Sequence, residues 1–187
     1  DYVNEQYQKS KGAGKLDSFN QELMLRIMSE EERLIQDGDI TWYKHANVKT
    51  NMGAFNFYIT TDFATSERES ADFSTINVWA YNNNGDWLWV DGFCKRALMD
   101  KTMDALFELA QKYRPQEVGI EITGQQGGFI QWIQNEQMNR NIYFTLASGK
   151  GKTTPGIRPN KDKMSRFQQI ALPLFKSGKI WFPEELR

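Results

Sequence analysis

The stretch Phe55-Asn56-Phe57-Tyr58-Ile59-Thr60-Thr61-Asp62 decides how this chain folds. Its aromatic and β-branched residues are typical of a β-strand, and this strand ends in an acid, Asp62. A second apolar run, Val118-Gly119-Ile120-Glu121-Ile122-Thr123, carries a carboxylate within it. We predict that these two strands lie side by side in one sheet. In that arrangement Asp62 and Glu121 come together and can hold divalent metal ions.

Two further strands follow the first one along the chain. Within residues 72–81, Ile76, Val78 and Ala80 alternate with Thr75, Asn77 and Trp79, which is the two-residue period of a strand. The sequence Asn82-Asn83-Asn84-Gly85-Asp86 predicts a tight turn, because Asn and Gly tolerate a positive φ. Residues 87–93 then return as the third strand. The first three strands are therefore predicted to be consecutive and antiparallel.

Helical and strand patterns alternate in the second half of the chain. Apolar residues recur at helical spacing over 97–113, and Pro115 ends that helix. The fourth strand, 117–123, is apolar on both sides of Glu121, as in a strand that is covered on both faces. The remaining predicted elements are a helix after Gly128, a fifth strand at 142–146, a last helix at about 161–177 and a short strand at 180–182. The last helix carries Met164, Phe167, Ile170, Ala171 and Leu174 on one face.

This order of elements predicts an α/β domain. We expect a mixed central sheet of about five main strands, the first three antiparallel, with helices on both faces. It is the order of a ribonuclease H-like domain. We expect residues 51–187 to form this domain, and residues 1–50 to be an N-terminal arm or linker with a helix at 17–37. The first residue is Asp rather than Met, which suggests a piece excised from a longer protein.

Composition limits the chemistry that the chain can carry. Its net charge is −1, so any contact with nucleic acid requires a local basic patch. No run approaches the roughly 20 apolar residues of a membrane-spanning helix, so we expect no membrane partner. The chain contains one histidine, His45, and one cysteine, Cys94, which cannot build a zinc site by themselves.

A site made of carboxylates suits hard cations such as Mg²⁺ and Mn²⁺, which prefer oxygen ligands. Two such ions, about 3.5–4 Å apart, activate water and stabilise the leaving oxygen of a phosphodiester. Two alternatives remain open for the residues themselves. Asp62 could simply cap a turn, and Glu121 could face outward from an edge strand.

A basic loop lies between residues 150 and 166, with Asp162 as its one acid. A flexible cationic loop of this kind can neutralise the phosphates of a nucleic acid. The alternative is a solvated surface loop without a partner. The cations, which we predict to bind nucleic acid, are Lys150, Lys152, Arg158, Lys161, Lys163 and Arg166.

An ordered set of segments resembles the C-terminal nuclease domain of the large terminase subunit of tailed phages. No segment is highly specific by itself, whereas the ordered set covers most of residues 19–183. The segments are Thr60-Thr61-Asp62-Phe63-Ala64, Ser70-Ala71-Asp72-Phe73-Ser74-Thr75-Ile76, Gly85-Asp86-Trp87-Leu88-Trp89-Val90-Asp91, Ile120-Glu121, Lys161-Asp162-Lys163 to Arg166, and Gly178-Lys179-Ile180-Trp181-Phe182-Pro183. Residues 19–24 are similar to the segment that joins the ATPase domain of the family to its nuclease domain.

The resemblance implies a ribonuclease H-like endonuclease that cuts concatemeric DNA with two Mg²⁺ or Mn²⁺ ions during head filling. Matching of the motifs makes Asp62 the metal bridge of the first strand and Glu121 the ligand of the fourth strand. In the family, a third acid lies in an Asp-Asp-x-x-Asp-Ala segment after the final strand. We expect either that this acid lies beyond Arg187, the domain then being truncated, or that Asp162 replaces it as a catalytic residue.

The resemblance also implies partners and a location. The partners are double-stranded DNA, a terminase ATPase domain that is missing from this sequence, the portal and the small terminase subunit. The location is the packaging motor in the host cell cytoplasm, and not the mature virion. Two other functions remain open. One is a DNA-binding or motor-docking module without activity of its own, and the other is a resolvase- or transposase-type nuclease of the same superfamily.

Overall fold

The computed structural model describes residues 8–9, 33–64, 73–122 and 127–187. The chain divides into two compact units, Asp1–Asp39 and Ile40–Arg187. The arm and helix predicted for the first 37 residues fall mainly outside the described ranges, so they stay predictions. Residues 40–50 lie in the second unit, and part of them joins its sheet.

The second unit is built on a six-stranded mixed sheet with the order β1-β6-β4-β3-β2-β5. The predicted antiparallel run is confirmed, because β3 pairs antiparallel with both β2 and β4. β5 pairs parallel with β2 at one edge, and β6 pairs parallel with β4 and β1 at the other. The strands are β1 Thr41–Tyr43, β2 Asn56–Asp62, β3 Ser74–Tyr81, β4 Trp87–Lys95, β5 Glu117–Ile120 and β6 Ile180–Pro183.

The helices agree with the predicted positions in the second half of the chain. They are α1 His45–Thr50, α2 Met99–Tyr113, α3 Gly127–Arg140, α4 Lys163–Arg166 and α5 Leu172–Lys176. A π-helical segment, Phe167–Ala171, joins α4 to α5. We call the continuous helix over residues 163–176 the outer helix. Short 3₁₀ segments occupy Asp37–Asp39, Met52–Ala54 and Glu184–Leu186.

The inner face of the sheet carries the hydrophobic core. Alternate residues of β2 and β3 are buried there, as the two-residue strand period requires, and α2 packs its apolar stripe against them. Asp91 of β4 fastens α2 to the sheet, because Lys112 Nζ and Tyr113 Oη both donate to its Oδ2 atom, at 2.7 and 2.8 Å. Burial raises the pKa of the Asp91 carboxyl, but these hydrogen bonds outweigh it and the pKa is lowered.

The outer helix lies on the opposite face, which confirms the predicted helices on both faces. Its Phe175 ring stacks on Phe182 of β6, with ring centroids 6.2 Å apart, and Phe182 meets Trp79 of β3 edge to face. On the inner face, α3 lies beside α2, where Arg140 pairs with Asp104 at 2.8 Å. The two faces therefore differ: the inner one is a packed core and the outer one is only partly covered.

Two of the predictions were wrong in detail. The fifth strand, expected at 142–146, is reduced to a single parallel bridge between Leu146 and Val118. The segment keeps two backbone hydrogen bonds with β5, from the Val118 N–H to the Thr145 carbonyl and from the Ala147 N–H to the Val118 carbonyl. Before them, the Gln137 side chain donates to the Phe144 carbonyl at 2.7 Å, and the Phe144 ring packs on Phe107.

The outer helix also lacks the single apolar face expected for it. None of its residues is buried, and Met164 and Ile170 are 56% and 65% exposed. The π-helical segment changes the helical period, so residues on either side of it no longer share one face.

Gly156 fixes the loop that runs beside Glu121, and we predict that alanine is poorly tolerated there. Its φ is +101°, and a Cβ atom would overlap the Ile122 side chain, lying 2.8 Å from Cγ1. Gly151 is a matched control, with φ +71° and open space around it. Gly151→Ala should lower the free energy of unfolding by about 1–2 kcal/mol through backbone strain alone. Gly156→Ala should cost roughly 2–4 kcal/mol, because overpacking is added. If urea unfolding shows the same loss of stability in Gly151→Ala and Gly156→Ala, the predicted overlap with the Ile122 side chain is contradicted.

Candidate metal centre

Asp62 and Glu121 lie at the same edge of the sheet, at the ends of two neighbouring parallel strands. The register of β2 and β5 pairs Thr61 with Ile120, so the next residues in line are Asp62 and Glu121. Thr61 and Ile120 are buried on the inner face, and alternation therefore directs both acids to the outer face. The predicted adjacency of the two strands is confirmed, and the carboxylates share one side of the sheet.

The outer helix brings a cation to each of the two acids. Lys163 Nζ donates to Asp62 Oδ2 at 2.6 Å. Arg166 binds Glu121 with both terminal nitrogens, at 3.0 and 3.2 Å. The hydrogen bond to Asp62 and the charge of that carboxylate raise the pKa of Lys163. Asp62 and Glu121 are therefore each matched by a positive charge.

A cavity of about 400 Å³ opens over the four charged groups. Its lining consists of the charged side chains of Asp62, Glu121, Lys163 and Arg166 and of Phe167, Ile170 and Ala171, which we call its apolar wall. The exposed Ile170 side chain therefore lines the cavity and does not pack in the hydrophobic core. The cavity combines paired charges with an apolar wall.

The donor set fits a hard divalent cation. Both acids offer carboxylate oxygens, which are the ligands that such cations prefer. Each carboxylate already binds one positively charged side chain. Within the ranges that the structure describes, no group of three His, Cys, Asp or Glu side chains could hold a metal ion. Mg²⁺ is commonly held by one or two protein carboxylates together with water, so two acids meet the minimum requirement.

Asp162 has a different position from the other two acids. It is the N-cap of the outer helix, where Oδ1 accepts from the Ser165 backbone N–H at 2.9 Å and Oδ2 accepts from the Ser165 hydroxyl at 2.6 Å. These hydrogen bonds, led by that of the hydroxyl, lower the pKa of Asp162. Asp162 is not among the residues that line the cavity. Its role as a replacement for the third acid stays a prediction.

The predicted nucleic-acid-binding cations fall into two groups. Lys163 and Arg166 face the acids, whereas the four others are exposed on the loop and at the start of the outer helix; these are Lys150, Lys152, Arg158 and Lys161. The pairing of the first group with the acids was not predicted from the sequence. The sequence contained one signal for this pairing, which is the spacing of Lys163 and Arg166, because residues three apart on a helix project to the same side.

No helix in the described part of the chain is long and apolar enough to cross a membrane.

Comparison with solved structures shows that the chain shares its fold with known proteins. No protein-family model and no curated protein matches the chain. The chain is similar to the human cytomegalovirus terminase nuclease domain, soaked with Mn and bound to an inhibitor, with a TM-score of 0.50 and 15% identity over 83% of this chain and 77% of that one. It is also similar to the large terminase nuclease of the thermophilic phage G20c with bound zinc, with a TM-score of 0.44 and 18% identity over 70% of this chain. It spans 65% of the length of that phage nuclease. The chain thus has the ribonuclease H-like α/β fold of a terminase nuclease domain.

Proposed function

We propose that the chain is the nuclease domain of a terminase large subunit, a Mg²⁺- or Mn²⁺-dependent endodeoxyribonuclease that cuts concatemeric DNA during genome packaging. One observation carries the proposal: Asp62 and Glu121 end neighbouring parallel strands and face the same side of the sheet. The fold is that of the cytomegalovirus domain, which was soaked with Mn. Neighbouring carboxylates of this kind can hold the metal ions that metal-dependent phosphodiester hydrolysis uses.

Asp62 and Glu121 would hold the metal ions. The chemistry that a bound pair of ions would supply is activation of a water molecule and stabilisation of the leaving oxygen of the phosphodiester. The chain itself contributes rigid placement, because both carboxylates stand at strand ends next to buried residues. The exposed cations Lys150, Lys152, Arg158 and Lys161 would neutralise DNA phosphates near the cavity. Asp162 would be the candidate for the third acid within this sequence.

The proposal also includes a substrate, partners and a location. Double-stranded DNA is the substrate, and the partners are a terminase ATPase domain, the portal and the small terminase subunit. The site of action is the packaging motor in the host cell cytoplasm.

A second function is favoured by one observation. Both acids are already paired with Lys163 and Arg166, and the described residues offer no third acid in the cavity. A DNA-binding or motor-docking module without activity of its own would have these properties. In such a module the DNA contacts, and not the acids, carry the function.

A cleavage assay tests the first function. We expect the chain to nick plasmid DNA in the presence of Mn²⁺. Asp62→Asn and Glu121→Gln should each lower the nicking rate by at least about 100-fold, because mutation of residues that only hydrogen-bond to metal ligands already lowers activity by roughly 10–100-fold. Glu117→Gln is the matched control, because Glu117 is exposed on the same face of β5 and does not line the cavity. Its rate should equal that of the unmodified chain.

Equal nicking by all of these variants would contradict the roles of Asp62 and Glu121. DNA binding that weakens with salt but is the same in both acid variants, with no nicking by any variant, would favour the module without activity.

Asp162 can be tested by separating its charge from its capping oxygen. Asn caps helices as well as Asp does, whereas Ala does not. If the role of Asp162 is the cap that the structure shows, Asp162→Asn should keep the nicking rate, and Asp162→Ala should lower the melting temperature of the chain. A loss of nicking in Asp162→Asn with an unchanged melting temperature would make Asp162 a catalytic acid instead.

A further inference from the structure

The two ion pairs of the cavity differ in exposure and geometry. Lys163 makes one contact with Asp62, and their side chains are 73% and 53% exposed. Arg166 makes two contacts with Glu121, and their side chains are 29% and 21% exposed. An exposed single contact is weak, whereas a sheltered bidentate Arg–carboxylate pair is stronger and fixed in geometry. The pair at Asp62 is therefore the easier one to break.

The cations stand in the way of a metal ion. An ammonium 2.6 Å from Asp62 Oδ2 occupies one of the positions at which that carboxylate could bind a metal ion, and its positive charge would repel a divalent ion beside it. Two carboxylates against two cations leave the cavity without a net negative charge from these four groups. A metal ion that binds Asp62 or Glu121 would therefore compete with a cation that is already paired with that acid.

The two cations also differ in how freely they can leave. Lys163 is at the exposed start of the outer helix, and its flexible side chain can swing into solvent without any movement of the backbone. Arg166 is next to the π-helical segment, and its Nε atom is buried without a hydrogen-bond partner among the described residues. Displacement of Arg166 therefore requires its guanidinium to leave a packed position.

These differences set an order of exchange. We propose, on the basis of the metal site proposed above, that Lys163 is an exchangeable counterion which the first divalent ion displaces from Asp62. Arg166 stays on Glu121 and limits the chain without DNA to one ion. A second ion enters only when Arg166 leaves Glu121. Lys163 and Arg166 thus control how many metal ions the site holds.

Titration with Mn²⁺ in the absence of DNA tests the first step, with free Mn²⁺ measured by electron paramagnetic resonance at low ionic strength. We expect one ion per chain in the unmodified protein and loss of that ion in Asp62→Asn. Lys163→Met should bind the ion about threefold to tenfold more tightly, because no exposed ion pair has to be broken and a like charge is removed. Lys163→Arg, which keeps the charge, should bind no more tightly than the unmodified chain.

Lys161→Met is the matched control for Lys163→Met. Lys161 is exposed near the start of the same helix, and its Nζ donates to Gln169 instead of an acid of the cavity. It should leave the Mn²⁺ affinity unchanged. Arg166→Met tests the second step and should raise the number of bound ions from one to two. Circular dichroism of each variant checks that the fold is kept. Arg166→Lys is a second substitution at this position, which retains the positive charge but loses the bidentate contact.

The outcomes separate this proposal from the function on which it rests. Mn²⁺ binding that needs Asp62 but is the same in Lys163→Met would overturn the exchange and leave the metal site in place. Equal tightening by Lys161→Met and Lys163→Met would also overturn it, because general electrostatics would then be the cause. No Mn²⁺ binding by any variant would overturn both proposals. Two ions in the unmodified chain would overturn the role of Arg166.

Discussion

The parallel pairing of β2 with β5 is the constraint on which the rest of the structure depends. It places Asp62 and Glu121 next to each other, on one side of the sheet and at the ends of adjacent strands. Two carboxylates so close repel each other unless positive charge lies between or beside them. The outer helix meets this requirement with Lys163 and Arg166. The charge balance of the cavity therefore depends on side chains that the outer helix places over these two strands.

The sheet supports the site by having two different faces. On the inner face, α2 and α3 cover a continuous apolar core, and the hydrogen bonds to Asp91 hold α2 in place. On the outer face, β2 keeps Thr60 and Asp62 exposed, and the outer helix covers the sheet without burying any of its own residues. The rigid face fixes the positions of the carboxylates, while the open face leaves them accessible.

The outer helix contributes little to the core and much to the site. Its π-helical segment carries Phe167, Ile170 and Ala171, which form the apolar wall of the cavity. π-Helical segments often occur at functional sites, where they redirect side chains away from a regular helical face. The exposure of Ile170 would be unfavourable in a purely structural helix. Here it is a consequence of placing the helix over the two acids and not over the core.

The sequence by itself determined the elements and the chemical character of the chain. The two-residue period of β2 and β3, the apolar stripe of α2 and the acid at the end of β2 are local patterns, and the structure reproduces them. The type of fold followed from their order. Short-range patterns could also show that Glu121 is an acid in an apolar strand, which needs a partner when it is sheltered.

Only the tertiary structure decided what those acids contact. Lys163 and Asp62 are 101 residues apart in the chain, and Arg166 and Glu121 are 45 apart, so no local pattern encodes these pairs. Asp162 is the exception, because it caps the outer helix through Ser165, which is only three residues away, and such a cap is a local pattern. The physical reason is that periodicity fixes which side of an element faces the core. The partner of a charged side chain depends on where a distant helix packs.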